Sequence, residues 1–121
     1  MDSNKYFNEI KNIIGDINSE RALIGRYDVP ITIDLITIIL NNYKISKRNL
    51  SLLLGWGELT ITRFLNGSVP SLPKSKLLKE ILYSPRYYYL LLLLNRHRIS
   101  YYAFNKSYLA IEKYIIAMEE K

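Results

Sequence analysis

The sequence predicts an all-α fold, a compact multi-helix bundle, and three observations carry that expectation. Apolar residues recur at spacings of three and four along most of the 121-residue chain, which is the period of one helix face. Ser, Thr and Pro stand just ahead of these runs, where helices are capped, and Gly, Asn or Pro stand just behind them, where helices stop. At this length roughly two-thirds of the unfolded surface can be buried, enough for one domain with its own core.

The elements follow in order. Over residues 4–17, Tyr6, Phe7, Ile10, Ile13, Ile14 and Ile17 form one apolar face, and a first helix is expected there. Residues 18–31 are rich in turn formers, and Pro30 biases Val29 away from helical geometry, so this stretch reads as a connector with a short turn or strand. Thr32 caps a helix over 33–43 whose buried stripe is Leu35, Ile36, Ile39 and Leu40. Ser46 caps a short helix carrying Leu50, Leu53 and Leu54, closed by Gly55 in a left-handed turn. Trp56 and Gly57 make the turn, and residues 58–65 make a second short helix that stops at Asn66-Gly67. Ser71 and Pro73 open a helix to about residue 83, Ser84 and Pro85 another to about residue 95, and Ser100 a last one to about residue 118. The elements group as an N-terminal helix and connector (1–31), a core (32–83) and C-terminal helices (84–121).

Composition excludes several function classes. Cysteine is absent and His97 is the single histidine, so thiol chemistry, a disulfide framework and a zinc site have no ligands, and no metal or cofactor is expected. No nucleophile, paired carboxylates or phosphate-cradling glycine loop stands at a catalytic spacing, so the chain is not expected to be an enzyme. The N-terminus has no secretory pattern, and the longest apolar run, 87–94, falls short of the ~18 residues that span a bilayer. A cytoplasmic protein without membrane contact is the expectation. The net charge of +6 is unevenly placed. Residues 1–43 carry four Lys/Arg against six Asp/Glu, 44–98 carry ten against two, and 99–121 carry three against three, which is −2, +8 and 0. A basic middle segment can neutralise phosphates, although such a run alone is more often a solvated surface. His97, between Arg96 and Arg98, reads as a solvated histidine, with a pH-sensitive phosphate contact as its functional alternative.

Inside the basic segment, residues 45–67, ISKRNLSLLLGWGELTITRFLNG, resemble without gaps the helix-turn-helix of lambda-repressor-like regulators. The resemblance implies that Leu50 and Leu54 hold the first short helix on the core, that Ser51 is small where the two helices cross, and that Gly55 permits the turn. Ile61 and Phe64 then face inward, leaving Glu58, Leu59, Thr60, Thr62 and Arg63 to read bases in the major groove of double-stranded DNA. Arg63 can bind guanine or a phosphate, the threonines offer hydroxyls and a methyl, and Leu59 can touch a thymine methyl. Glu58 would be repelled by phosphates unless it accepts from cytosine N4 or pairs with a cation such as Arg63 or Lys47. Ser46, Lys47 and Arg48 are placed for backbone phosphates, and Lys74 and Lys76 extend that contact. The structural alternative is an ordinary helical hairpin.

LGWGELTITRF followed by NGSVPS, then SPRYYYLLLLLNRHRIS and YYAFNKSYLAIEKY, further resembles the helix-turn-helix region that precedes the Panacea domain in certain antitoxins. It covers roughly residues 46–114, and the GWGE turn is its most specific piece. The chain departs from that family in ending where the toxin-neutralising domain would begin and in lacking a cysteine-rich zinc module ahead of the motif. A stand-alone regulator from a phage or mobile element, a decayed antitoxin and a piece of a longer antitoxin are all compatible with this. After Pro85, Leu90 to Leu94 are all leucine behind three tyrosines, more apolar surface than one core face needs. Either this helix is central to the core, or Tyr87, Leu90, Leu93 and Leu94 form an interface with a second copy or another protein. The expected function is a sequence-specific transcriptional regulator, repressor or antitoxin-like, acting as a homodimer on paired half-sites. The alternative is a protein-binding inhibitor, toxin-neutralising or anti-CRISPR-like, that keeps the scaffold and uses the Tyr/Leu surface.

Overall fold

The computed structural model describes residues 28–119, and the helix expected over 4–17 and most of the connector lie outside the described residues. Six α-helices and one 3-10 turn are present there: α1 (Ile33–Tyr43), α2 (Lys47–Leu53), α3 (Thr60–Leu65), α4 (Leu72–Tyr83), α5 (Pro85–Leu94), the 3-10 turn Arg96–Arg98, and α6 (Tyr101–Glu119). No strand occurs among the described residues, and no helix described is long and apolar enough to cross a membrane.

The capping residues set where the helices begin. Ahead of five of the six described helices a side-chain oxygen accepts one of the backbone N–H groups that the first turn leaves without a partner. Thr32 does so from Leu35 (3.3 Å), Ser46 from Asn49 (3.1 Å), Ser71 from Lys74 (3.4 Å), Ser84 from Tyr87 (3.1 Å) and Ser100 from Ala103 (3.1 Å). Ser84 also ends α4, since its own N–H bonds the Glu80 carbonyl. A single residue therefore closes one helix and opens the next.

The core is built by α1, which packs on α3, α4 and α6, and by the α5–α6 pair, with α5 also against α4. Ile36, Ile39, Leu50, Leu53, Ile61, Leu78, Ile81 and Leu92 have no exposed surface, each burial contributing about 1.5–3 kcal/mol before entropy is counted. Ile31, just before α1, is buried too, and its N–H bonds the Ser75 hydroxyl (3.2 Å) on α4.

Three buried tyrosines join the first helix to the last two. Tyr43 stacks on Tyr88 (centroids 4.2 Å apart, planes within 8°) and meets Tyr114 edge-on at 6.2 Å. The hydroxyls of Tyr43 and Tyr88 are tied down, as buried hydroxyls generally are. The Tyr43 hydroxyl donates to the Ile81 carbonyl (2.8 Å), and the Ser107 hydroxyl bonds both the Tyr43 carbonyl (2.6 Å) and the Tyr88 hydroxyl (2.5 Å). This arrangement decides the position of α5. Only Pro85, Tyr88 and Leu92 of that helix are buried; Tyr87 and Leu93 are half-buried, and Leu90 and Leu94 stand in solvent. It is therefore a covering helix with one open face, not a central one.

Lys79, counted in the basic segment, is only 2 % exposed, and its ammonium donates to the Val29 carbonyl. Its charge belongs to the core and is not available to an external anion.

Candidate nucleic-acid interface

The pair of short helices α2 and α3, with the turn between them, assembles around Ser51. This residue is fully buried where α2 crosses α3, and its hydroxyl donates to the Lys47 carbonyl (2.8 Å) and accepts from the Ile61 N–H (3.0 Å). That second bond matters because α3 has no capping side chain of its own: Leu59, at its N-cap, makes none. A serine ten residues upstream thus supplies the cap. Gly55 turns the chain at φ +79, and an added Cβ there would meet the Arg98 guanidinium at 2.2 Å. The backbone conformation is what disfavours a side chain here, since the Arg98 guanidinium is the end of a flexible, exposed side chain and can move aside. Trp56 then bonds back to the Ser51 carbonyl (2.9 Å) and sets its ring edge-on to Phe64 at 6.3 Å.

The second helix is shorter than the 58–65 expected. Glu58 and Leu59 form a turn closed by the Thr60 N–H on the Gly57 carbonyl (3.0 Å), and the helix proper begins at Thr60. Ile61 and Phe64 are its buried residues. Outside, Glu58, Leu59 and Arg63 are exposed, with 51 % of Leu59 in solvent, while Thr60 and Thr62 are half-buried. Three of the five expected base readers therefore stand clear, and the two threonines flank them.

Glu58 pairs with Arg48, not with Arg63 or Lys47. The Arg48 Nε lies 2.9 Å from Glu58 Oε1, and the two side chains are 62 % and 56 % exposed. In solvent such a pair adds only ~0–1 kcal/mol to stability. Its larger effect is on the surface potential, because it neutralises one of the two carboxylates of the basic segment and ties the start of α2 to the turn before α3.

Around this unit the expected phosphate contacts divide. Ser46, Lys47 and Arg48 lie together at the start of α2 and are exposed. Lys74 is half-buried with its ammonium 5.5 Å from the Trp56 ring centroid, a cation–π contact. It lines a concavity of about 280 Å³ with Thr60, Arg63, Phe64, Ser68 and Ser71. Lys76 is not part of that concavity; two residues further along a helix is roughly 200° around its axis. At the other edge, Leu40, Asn41, Lys44, Ile45, Ser46 and Lys106 line a second concavity of about 350 Å³. Sequence reading misses Lys106 there because 62 residues separate it from Lys44, and only the docking of α6 on α1 brings them together. The expected interface residues Tyr87, Leu90, Leu93 and Leu94 lie on α5, outside this unit.

Comparison of the chain with protein-family models, curated proteins and solved structures gave no match.

Proposed function

We propose that the chain is a sequence-specific DNA-binding regulator that presents the 58–59 turn and α3 to the major groove. The observation that carries this reading is the division of the α2–turn–α3 unit. Leu50, Ser51, Ile61 and Phe64 are sealed inside, while Glu58, Leu59 and Arg63 project outward between cations at Lys47, Arg48 and Lys74. In this reading Glu58 offers its second oxygen to a cytosine amino group, Leu59 touches a thymine methyl, and Thr60, Thr62 and Arg63 complete the contact. Ser46, Lys47, Arg48 and Lys74 hold the backbone on either side. Two copies on a palindromic site would double these contacts, and the open face of α5 at Leu90 and Leu94 supplies apolar area for pairing.

The test is binding of the purified chain to the DNA upstream of its own gene and to a scrambled duplex, across a salt series. Preference for the upstream duplex, lost in an Arg63→Ala, Thr60→Ala double variant, is the expected result. Equal, salt-sensitive binding to both duplexes would reduce the reading to generic electrostatics. A second reading, a protein-binding inhibitor, is favoured by one observation: Leu94, Tyr101 and Tyr102 are each more than 70 % exposed on the C-terminal helices.

A further inference from the structure

We infer that Arg98, on the 3-10 turn that links α5 to α6, is a further contact to a DNA phosphate, so that the interface reaches beyond the two short helices. This rests on the DNA-binding reading, since it assigns the phosphate to the same duplex.

The place of the turn is the first observation. It packs on α2 as well as on α5. Its backbone is closed by the Arg98 N–H on the Asn95 carbonyl (3.0 Å) and the Ile99 N–H on the Arg96 carbonyl (3.3 Å). Residue 98 is thereby set at the end of α2, and its guanidinium lies against Gly55. Gly55 stands three residues before Glu58, and consecutive Cα atoms are ~3.8 Å apart, so these two Cα atoms are separated by at most ~11 Å. The major groove is about 12 Å wide, so a cation at that distance from an element seated in it reaches the phosphates along its wall. Lys47 and Arg48 occupy the start of α2, and a helix of seven residues spans ~10 Å, so Arg98 adds a cation at the opposite end.

The second observation is the state of the side chain. Arg98 is exposed, as are Arg96 and His97 beside it. Among the described residues its guanidinium has no hydrogen-bond or ion-pair partner. Residues 81–111 contain no Asp or Glu, so the stretch of chain around it brings no carboxylate to compete with a phosphate. A guanidinium presents five donors in a planar fork, which matches the oxygens of a phosphodiester. The structural alternative is that Arg98 serves only the C-terminal end of α2, where a cation meets the negative end of the helix dipole. The two roles differ in their response to salt.

Arg98→Gln and Arg98→Lys are compared with the wild-type chain on the upstream and scrambled duplexes over a salt series, with urea unfolding of each variant measured alongside. Lys113→Gln is the control, an exposed cation ~18 Å along α6 from Tyr101. Arg98→Gln is expected to bind either duplex ~3- to 10-fold more weakly, with the slope of log affinity against log salt reduced by about 0.9 and sequence preference unchanged. Arg98→Lys is expected to keep the wild-type slope, and Lys113→Gln to leave affinity and slope as they are. An unchanged slope in Arg98→Gln overturns the inference, and a lowered urea midpoint beside it marks the helix-end role. An equal drop in Lys113→Gln overturns it as well, since net charge alone would then explain the loss. Lost preference with an intact slope has the same force, because Arg98 would be reading a base. None of these three results touches the DNA-binding reading while the wild type keeps the preference that the Arg63→Ala, Thr60→Ala variant loses. A wild-type chain that binds neither duplex ends both.

Discussion

Ser51 shows how much one small side chain can carry. The sequence asks only that residue 51 be small, and an alanine would satisfy that. The structure has its hydroxyl bonding the Lys47 carbonyl and the Ile61 N–H in a fully buried crossing. Replacing Ser51 by alanine leaves a buried N–H without a partner at the start of α3, an expected loss of about 1–3 kcal/mol in urea unfolding. A loss below ~0.5 kcal/mol would mean that α3 is capped some other way. The same limit of local reading applies to charge. Glu58 is legible as a carboxylate that needs a cation, yet its partner is Arg48, because the close crossing of α2 and α3 brings a first-turn arginine to the turn ten residues on. Lys79 counts as a surface cation in any sequence tally, and only packing buries it.

For whole elements, legibility follows from whether the deciding interaction is local. Helices α1, α2, α4, α5 and α6 begin where Thr32, Ser46, Ser71, Ser84 and Ser100 predict, since each cap bonds an N–H three residues ahead. The start of α3 is displaced from residue 58 to Thr60, because its cap comes from another helix and leaves no signature in the adjacent sequence. Helix α5 reads as apolar on every side, but that pattern alone cannot say whether it is enclosed; the stacking of Tyr88 on Tyr43 decides that one face is covered and Leu90 and Leu94 are not. The double duty of Ser84 gives a prediction at this scale. Ser84→Ala removes the cap of α5 and is expected to destabilise the chain by ~1 kcal/mol, read as a lower urea midpoint with an unchanged slope. A changed slope would instead indicate that the α4–α5 corner had come apart.

For the molecule as a whole, the tyrosine cluster couples stability to alkali. Burial, with the neighbouring Tyr88 and Tyr114, pushes the Tyr43 hydroxyl well above its ordinary range, and burial raises Tyr88 against the opposing hydrogen bond from Ser107. At the surface, the bond with Tyr89 and the nearby Glu112 carboxylate push Tyr108 up to about 12. In the unfolded chain these hydroxyls ionise near pH ~10, so above that point the unfolded state loses protons that the folded state retains. Stability is therefore expected to be insensitive to tyrosine ionisation below about pH 9 and to fall as pH rises through ~10 toward the raised folded values. Unfolding free energies measured against pH, together with phenolate absorbance, check this; ionisation of all eleven tyrosines near pH ~10 with the fold intact would contradict it. The aromatic content has one more consequence, and it is optical. Trp56 is the only tryptophan, and it sits at the turn between Phe64 and the Lys74 ammonium. Light that excites indole and not phenol therefore interrogates this one place in the chain. A ligand that draws Lys74 off the ring alters the emission directly, so the protein carries its own fluorophore for following occupancy of the α3 edge in real time.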